Sequence, residues 1–240
     1  MASAKNLKAG SAKAHDHDAS EAASIDTQLS APGDLGADEN HRIFNVYNTT
    51  SFTNYRISES NDKTTLYYVR TSTFTPGKPE ITFHVGERGG PVVGVVNFLK
   101  FSSHSKVGLG DPADNLNMTW EDLRKESFDH SKYRFEMTVN GVRKGFLWKR
   151  TRSIGVEGSV PNKFSESNFK LLDEGTGELV GVYSTNGIKS IKKMGKFQLN
   201  KNYGSEFDRM FLLTGMALLE RLQRRKHARG GGGGGGGGGG

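Results

Sequence analysis

Nine basic residues in the last two fifths of the chain are placed where they could hold phosphate. Arg143, Lys144, Lys149, Arg150 and Arg152 lie on and just after one apolar-alternating run, and Lys189, Lys192, Lys193 and Lys196 lie along another. Arg offers a planar fork to phosphate oxygens and Lys a compact point charge. Such a cluster beside an aromatic residue, here Trp148, suits lipid headgroups, each cation near an anionic membrane contributing about 1 kcal/mol. The same residues also suit solvated strand edges, where Lys discourages pairing between sheets. Trp148 itself reads as core.

Other chemistry is poorly supported. There is no cysteine, which removes disulfides, thiolate zinc sites and thiol nucleophiles and fits a reducing compartment. Asp111, Asp114, Asn115, Asn117, Glu121 and Asp122 are rich in oxygen donors. A calcium loop starting at Asp111 would need a ligand where Ala113 stands and glycine where Leu116 stands. The spacing fails, and a capped loop is the expectation. His15 and His17 read as polar filler, and His41, His84, His104 and His130 as isolated strand or loop residues. No Walker, Gly-x-Ser-x-Gly or His-Glu-x-x-His sequence is present. Gly86–Pro91 is a turn that no Gly-Lys-Ser/Thr follows. The expectation is a non-enzyme with no cofactor and no metal.

The net charge of +7 is unevenly distributed. Residues 1–40 hold 3 Lys/Arg against 7 Asp/Glu, residues 41–141 hold 12 against 11, and residues 142–240 hold 18 against 8. A basic excess confined to one part of the chain points to an anionic partner or to a solvated face. Nucleic acid finds no recognised module here. Residues 1–40, poor in side chains larger than Ala, and the glycines of 230–240 cannot bury enough apolar surface to offset their ordering entropy, so both tails are expected to be disordered. A single domain is expected over 41–229. No apolar leader precedes it, so a cytoplasmic address is expected, peripheral to a membrane or nuclear.

The elements that must position these residues are mostly strands. Tyr133, Phe135, Met137 and Val139 alternate with polar residues, the period of a half-buried strand. Asn140-Gly141 then marks a two-residue hairpin, because both residues tolerate positive φ. Further hairpins are read at Tyr55–Ser58 with Leu66–Val69 across Ser60–Lys63, at Ile81–Val85 with Val92–Phe98, and at Phe169–Leu172 with Leu179–Tyr183. Ile43–Tyr47 opens the series, and Ile188–Ile191 and Phe197–Leu199 close it. Gly90–Val96 and Gly177–Tyr183 echo one another, each following a glycine-rich turn. Within Gly108–Phe128 the rhythm breaks, and Thr119–Leu123 reads as a short helical turn capped by Asn117 or Thr119.

One long helix is expected over Ser205–His227, with Ser205 as cap, Glu206 and Asp208 in its first turn and Arg221, Arg224, Arg225 and Lys226 in its last turns. Its centre, Met210–Leu219, is apolar on every side. Ten residues fall well short of the roughly 20 that a membrane span needs. A helix apolar all round must be enclosed, and the rest of the domain is sheet, so the sheet should curl around it. Burying its Phe, Met and Leu side chains supplies about 10–20 kcal/mol gross. Gly215 would let one bulky strand side chain approach the helix backbone.

A run of antiparallel strands, the Trp-bearing strand Gly145–Arg150, the late hairpin Asp173–Glu178 and a terminal helix rich in Leu and Met together resemble the tubby C-terminal-like superfamily, which includes tubby domains, phospholipid scramblases and LURP-one-related proteins. The resemblance spans about Phe52 to Arg225 and is greatest to uncharacterised fungal members. It implies a mainly β fold, a closed antiparallel β-barrel around a central hydrophobic C-terminal α-helix. It further implies an anionic-lipid or phosphoinositide partner; the basic pocket of tubby domains does not transfer to this chain residue by residue, and the nine cations named above are its candidates on charge and position alone. The alternatives are a protein-interaction scaffold and, with less support because the apolar helix is assigned to the core, a scramblase-like transporter.

Overall fold

The computed structural model describes residues 41–60, 64–73, 75–159, 165–186, 190 and 192–230. Both expected tails, Lys189, most of the Ile188–Ile191 strand and the tip of the Ser60–Lys63 turn lie outside the described residues.

The described residues form twelve strands and one long helix: β1 Arg42–Asn48, β2 Tyr55–Glu59, β3 Thr65–Thr71, β4 Ile81–Val85, β5 Val92–Phe98, β6 Ser105–Leu109, β7 Thr119–Lys125, β8 Lys132–Val139, β9 Val142–Arg150, β10 Phe169–Asp173, β11 Leu179–Thr185, β12 Lys193–Leu199 and α1 Ser205–Gly230. The strands close into one barrel in which each pairs antiparallel with its neighbours in sequence, and β1 pairs with both β2 and β12. The period-two pattern decides which side chains enter. In β8, Tyr133, Phe135, Met137 and Val139 are buried, while Lys132 and Thr138 are exposed. Asn140 and Gly141 sit at φ of 50° and 76°, the left-handed pair that a tight hairpin demands.

The barrel encloses α1. Every residue from Met210 to Glu220 is buried, so the helix that is apolar on all sides meets protein on all sides. Packing is close enough that glycines are needed on both surfaces. A Cβ on Gly94 of β5 would lie 2.5 Å from Leu213 Cδ1, and one on Gly181 of β11 would lie 2.6 Å from Phe211 Cε2. These are the central glycines of the two echoing segments, and both admit helix side chains. Trp148 is fully buried, stacks on Phe211 at 5.2 Å, and donates from Nε1 to Thr214 Oγ1 at 3.0 Å.

Two expectations are corrected. Thr119–Leu123 is not a helical turn but the start of β7, and the short turn of helix lies earlier, at Asn115–Asn117, with no side-chain cap. The alternation is present in β7, but one of its buried positions is Glu121, held by the Arg143 guanidinium. Ser205 is not the cap of α1. The Asp208 amide donates to Gly204 O, and Gly204 has φ of 93°. The chain therefore enters the helix through a left-handed residue, where glycine carries no Cβ penalty.

Because the barrel is a meander, alternate connections lie at opposite ends. The β1–β2, β3–β4, β5–β6, β7–β8, β9–β10 and β11–β12 connections share one end. The C-terminal turns of α1 emerge there: Arg221 reaches Ser105 at the start of β6, Arg224 donates to Ser72 O in the β3–β4 connection, and Lys226 meets Ser167 in the β9–β10 connection. The N-terminus of α1 sits at the other end, where Arg42 pairs with Asp208.

Candidate functional site at the helix-exit end

The end from which α1 emerges gathers cations from elements far apart in sequence. The helix supplies Arg221, Arg224, Arg225, Lys226 and Arg229, and the connections supply Lys78, Lys100, Arg152 and Lys192. Two of the arginines are structural. Arg221 and Arg224 stack on Phe98, 4.2 and 4.8 Å from its ring centroid, and Arg224 also pairs with Glu220 at 2.8 Å. Burial draws Arg221 down to about 10, with Arg225 and Arg224 adding to the shift and Tyr133 opposing it, so it keeps its charge at neutral pH.

Beside them, His130 Nδ1 lies 2.7 Å from the Tyr133 hydroxyl and 3.3 Å from Arg225 Nη1. Burial, then Arg225 and Lys125, push its imidazole down to about 4, so it is neutral among cations. Carboxylates are present at this end as well. Glu80 accepts the Phe98 amide at 2.8 Å, and Asp129, held at about 2 by the hydroxyls of Ser131 and Ser127, accepts from Ser131 at 2.7 Å. Glu126 and Glu166 are exposed.

A cleft of about 450 Å³ opens against the emerging helix. Its apolar wall is Phe52, Tyr183, Met194, Leu219 and Leu222, and Gln223 and Lys226 stand among its polar groups. The opposite end of the barrel is richer in carboxylates, with Asp111 and Asp114 between β6 and β7, Glu174 and Glu178 between β10 and β11, and Glu206 and Asp208 at the start of α1. It also holds Arg42, Arg88, Lys201 and Arg209, and Asp208, Glu174 and Glu178 are ion-paired.

The nine cations singled out from the sequence do not form one patch. Arg143 and Lys144 lie at the acidic end and are ion-paired. Arg143 is held by Glu121 and by Glu136 at 3.4 Å, and Lys144 by Asp173 at 3.0 Å. The Asp173 bond raises the Lys144 ammonium above its ordinary value, the charge of the Tyr203 phenol group adding to it. Burial pushes the Asp173 carboxyl up, but Lys144 and the amides of Gly175 and Thr176 outweigh it and hold it below its ordinary value. Lys196 pairs with Glu157 at 2.8 Å on the outer wall. Lys149 is also on the wall, directly opposite Lys132 on one side and Lys170 on the other. Arg150, Arg152, Lys192 and Lys193 lie at or next to the helix-exit end. Lys189 lies outside the described residues.

A smaller cleft, about 210 Å³, lies where β7 and β8 part below Arg124 and Lys125. Its charges satisfy one another: Asp122 with Lys106 at 3.3 Å and Arg124 at 3.0 Å, and Arg134 with Glu136 at 2.6 Å and Glu174 at 2.7 Å. That network pairs the charged side chains that line the cleft with one another. No group of three or more His, Asp or Glu side chains is arranged to hold a metal among the described residues. No helix among them is long and apolar enough to cross a membrane.

The sequence reading missed Arg225, His130 and Tyr133 as neighbours and Phe52 as part of the cleft. No local signal brings them together; only strand parity around the closed barrel does.

No family model matches the chain, and no curated protein matches it. Among solved structures, it is similar to an X-ray structure of a protein from Arabidopsis thaliana. The two share 13% sequence identity and a TM-score of 0.47, over 76% of this chain and 91% of that one.

Proposed function

We propose that the barrel is a non-enzymatic module that docks peripherally on anionic phospholipid, phosphoinositides included, through its helix-exit end. The observation that carries this is the convergence there of the helix cations Arg225, Lys226 and Arg229 with Arg152 and Lys192 from separate connections, set against a far end richer in carboxylates. A molecule with basic and acidic poles turns its basic pole toward a negative surface. At about 1 kcal/mol per cation close to such a surface, a handful is enough for reversible attachment. Of the cations read from the sequence, Arg150, Arg152, Lys192 and Lys193 belong to this contact. Arg143, Lys144 and Lys196 already have carboxylate partners and stay outside it.

Sedimentation with phosphatidylserine-containing and pure phosphatidylcholine vesicles tests the reading. Binding should be confined to the anionic vesicles and should weaken steeply between about 0.05 M and 0.5 M salt, as screening shortens the reach of each charge. Absence of any salt-dependent binding ends the proposal. Recovery of a stoichiometric protein partner instead would favour a scaffold role.

A further inference from the structure

We infer that Phe52, Phe101 and Phe128 are insertion tips that enter the interfacial layer of the anionic bilayer, an inference that rests on the membrane reading above. Each sits in a connection of the helix-exit end: Phe52 between β1 and β2, Phe101 between β5 and β6, Phe128 between β7 and β8. Their exposures are 58%, 109% and 97%. Phe101 and Phe128 stand fully in water and contribute nothing to the core, Phe52 is more than half exposed, and exposed apolar groups sharing one end of a protein mark an interaction site.

The backbone makes the same point independently. Phe52 and Phe101 adopt φ of 54° and 57°, a left-handed conformation that disfavours bulky residues and is usually given to Gly, Asn or Asp. A turn needed only for connection would carry one of those. Here the strained position holds a ring, at the rim of the cleft for Phe52 and fully in solvent for Phe101, and an outlier of this kind argues for a role.

Charge selects the occupant. Lys100 is the chain neighbour of Phe101, and the Lys125 ammonium lies 5.9 Å from the Phe128 ring, which also has exposed Glu126 and Asp129 close by in the chain. Aromatic rings flanked by cations suit the boundary between acyl chains and anionic headgroups. The far end also shows exposed apolar residues, Val85, Leu116, Trp120 and Val142, but Leu116 follows Asp111 and Asp114 in the same connection and Glu206 and Asp208 begin α1 at that end, so it is the less suited of the two to a negative surface. In strand order the three tips fall within four successive connections, the one between Phe52 and Phe101 bearing Lys78, and the connections bearing Arg152 and Lys192 follow them around the rim. Apolar insertion on one side and phosphate contact on the other would hold the barrel with α1 pointing into the membrane plane.

The test uses the full chain with Phe101→Trp or Phe128→Trp and phosphatidylserine vesicles whose acyl chains are brominated. Both variants should gain an emission component that the brominated chains quench, which neither Trp148, buried in the core, nor Trp120, at the far end, gives the parent. Replacing Phe101 and Phe128 with Ser should leave the thermal midpoint unchanged and weaken the salt-resistant part of binding by about tenfold in affinity per ring. Pelleting with vesicles but without quenching would overturn insertion and leave peripheral binding standing. Absence of pelleting would overturn both.

Discussion

The Phe197 ring lies directly against Gly215 of the helix: a Cβ on Gly215 would stand 2.4 Å from Cε1 and 2.7 Å from Cζ. The ring has nowhere to retreat, because Tyr183 and Phe211 flank it with centroids 4.6 and 5.4 Å away. The contact lies at the centre of the plug-in-barrel arrangement and shows how closely the wall approaches the helix.

Gly215→Ala should therefore destabilise the protein although Ala is the better helix former by about 1 kcal/mol. Overpacking of this kind costs about 1–3 kcal/mol, and the steric term should win. Urea denaturation measures it. Phe197→Leu in the Gly215→Ala background should recover part of the loss, a coupling that two independent sites would not show.

Thr214→Val should cost about 1–3 kcal/mol at nearly constant volume, because the fully buried Trp148 Nε1 loses its acceptor. Equilibrium unfolding followed by tryptophan fluorescence reads both the stability and the change around the indole. An unchanged midpoint would mean that Trp148 has another partner.

His130 gives the fold a pH dependence of known direction. It faces Arg225, Lys125, Arg221 and Asp129, and its folded-state value of about 4 lies below the 6.5 of a free imidazole. Above pH 6.5 both states are neutral at this position and it contributes nothing. Between 6.5 and 4 the unfolded chain binds a proton that the folded chain refuses, so stability falls as the pH falls. His130→Asn, which tolerates the φ of 59° at this position, should lose less stability than the parent between pH 7 and pH 5. Urea midpoints at the two values check it, and equal losses would contradict it.

The carboxylates of the β7–β9 seam give the opposite sort of variant, one that is structural and silent in binding. Arg143→Ala should lower stability by leaving buried Glu121 unpaired, yet leave vesicle binding within about twofold of the parent. A parallel loss of membrane affinity would return Arg143 to the lipid site.

Much of this architecture was legible in the residues. Asn140-Gly141 announced its hairpin because only a left-handed pair closes so short a turn, and Met210–Leu219 announced a core helix because it has no polar face to give to water. Gly215 was read as a place for a strand side chain, and Phe197 fills it. Strand β7 was not legible, since the buried Glu121 reads as polar until Arg143, 22 residues away, is known to hold it. The pairing of Lys144 with Asp173 spans 29 residues and is equally invisible. Phe101, with Leu99 two residues before it, and Phe128 stand in otherwise polar turns and create no period that extends a strand. Their shared end follows only from counting connections around a closed barrel.

Charge reversal at the two poles tests the central claim most directly. Arg152→Glu with Lys192→Glu changes the helix-exit end, and Arg88→Glu with Lys201→Glu makes the same change in net charge at the far end. Binding isotherms on phosphatidylserine vesicles at low salt should show a loss of at least about tenfold for the first pair and almost none for the second. Equal losses for both pairs would mean that net charge alone draws the protein to the surface, and the assignment of the membrane contact to the helix-exit end would be wrong.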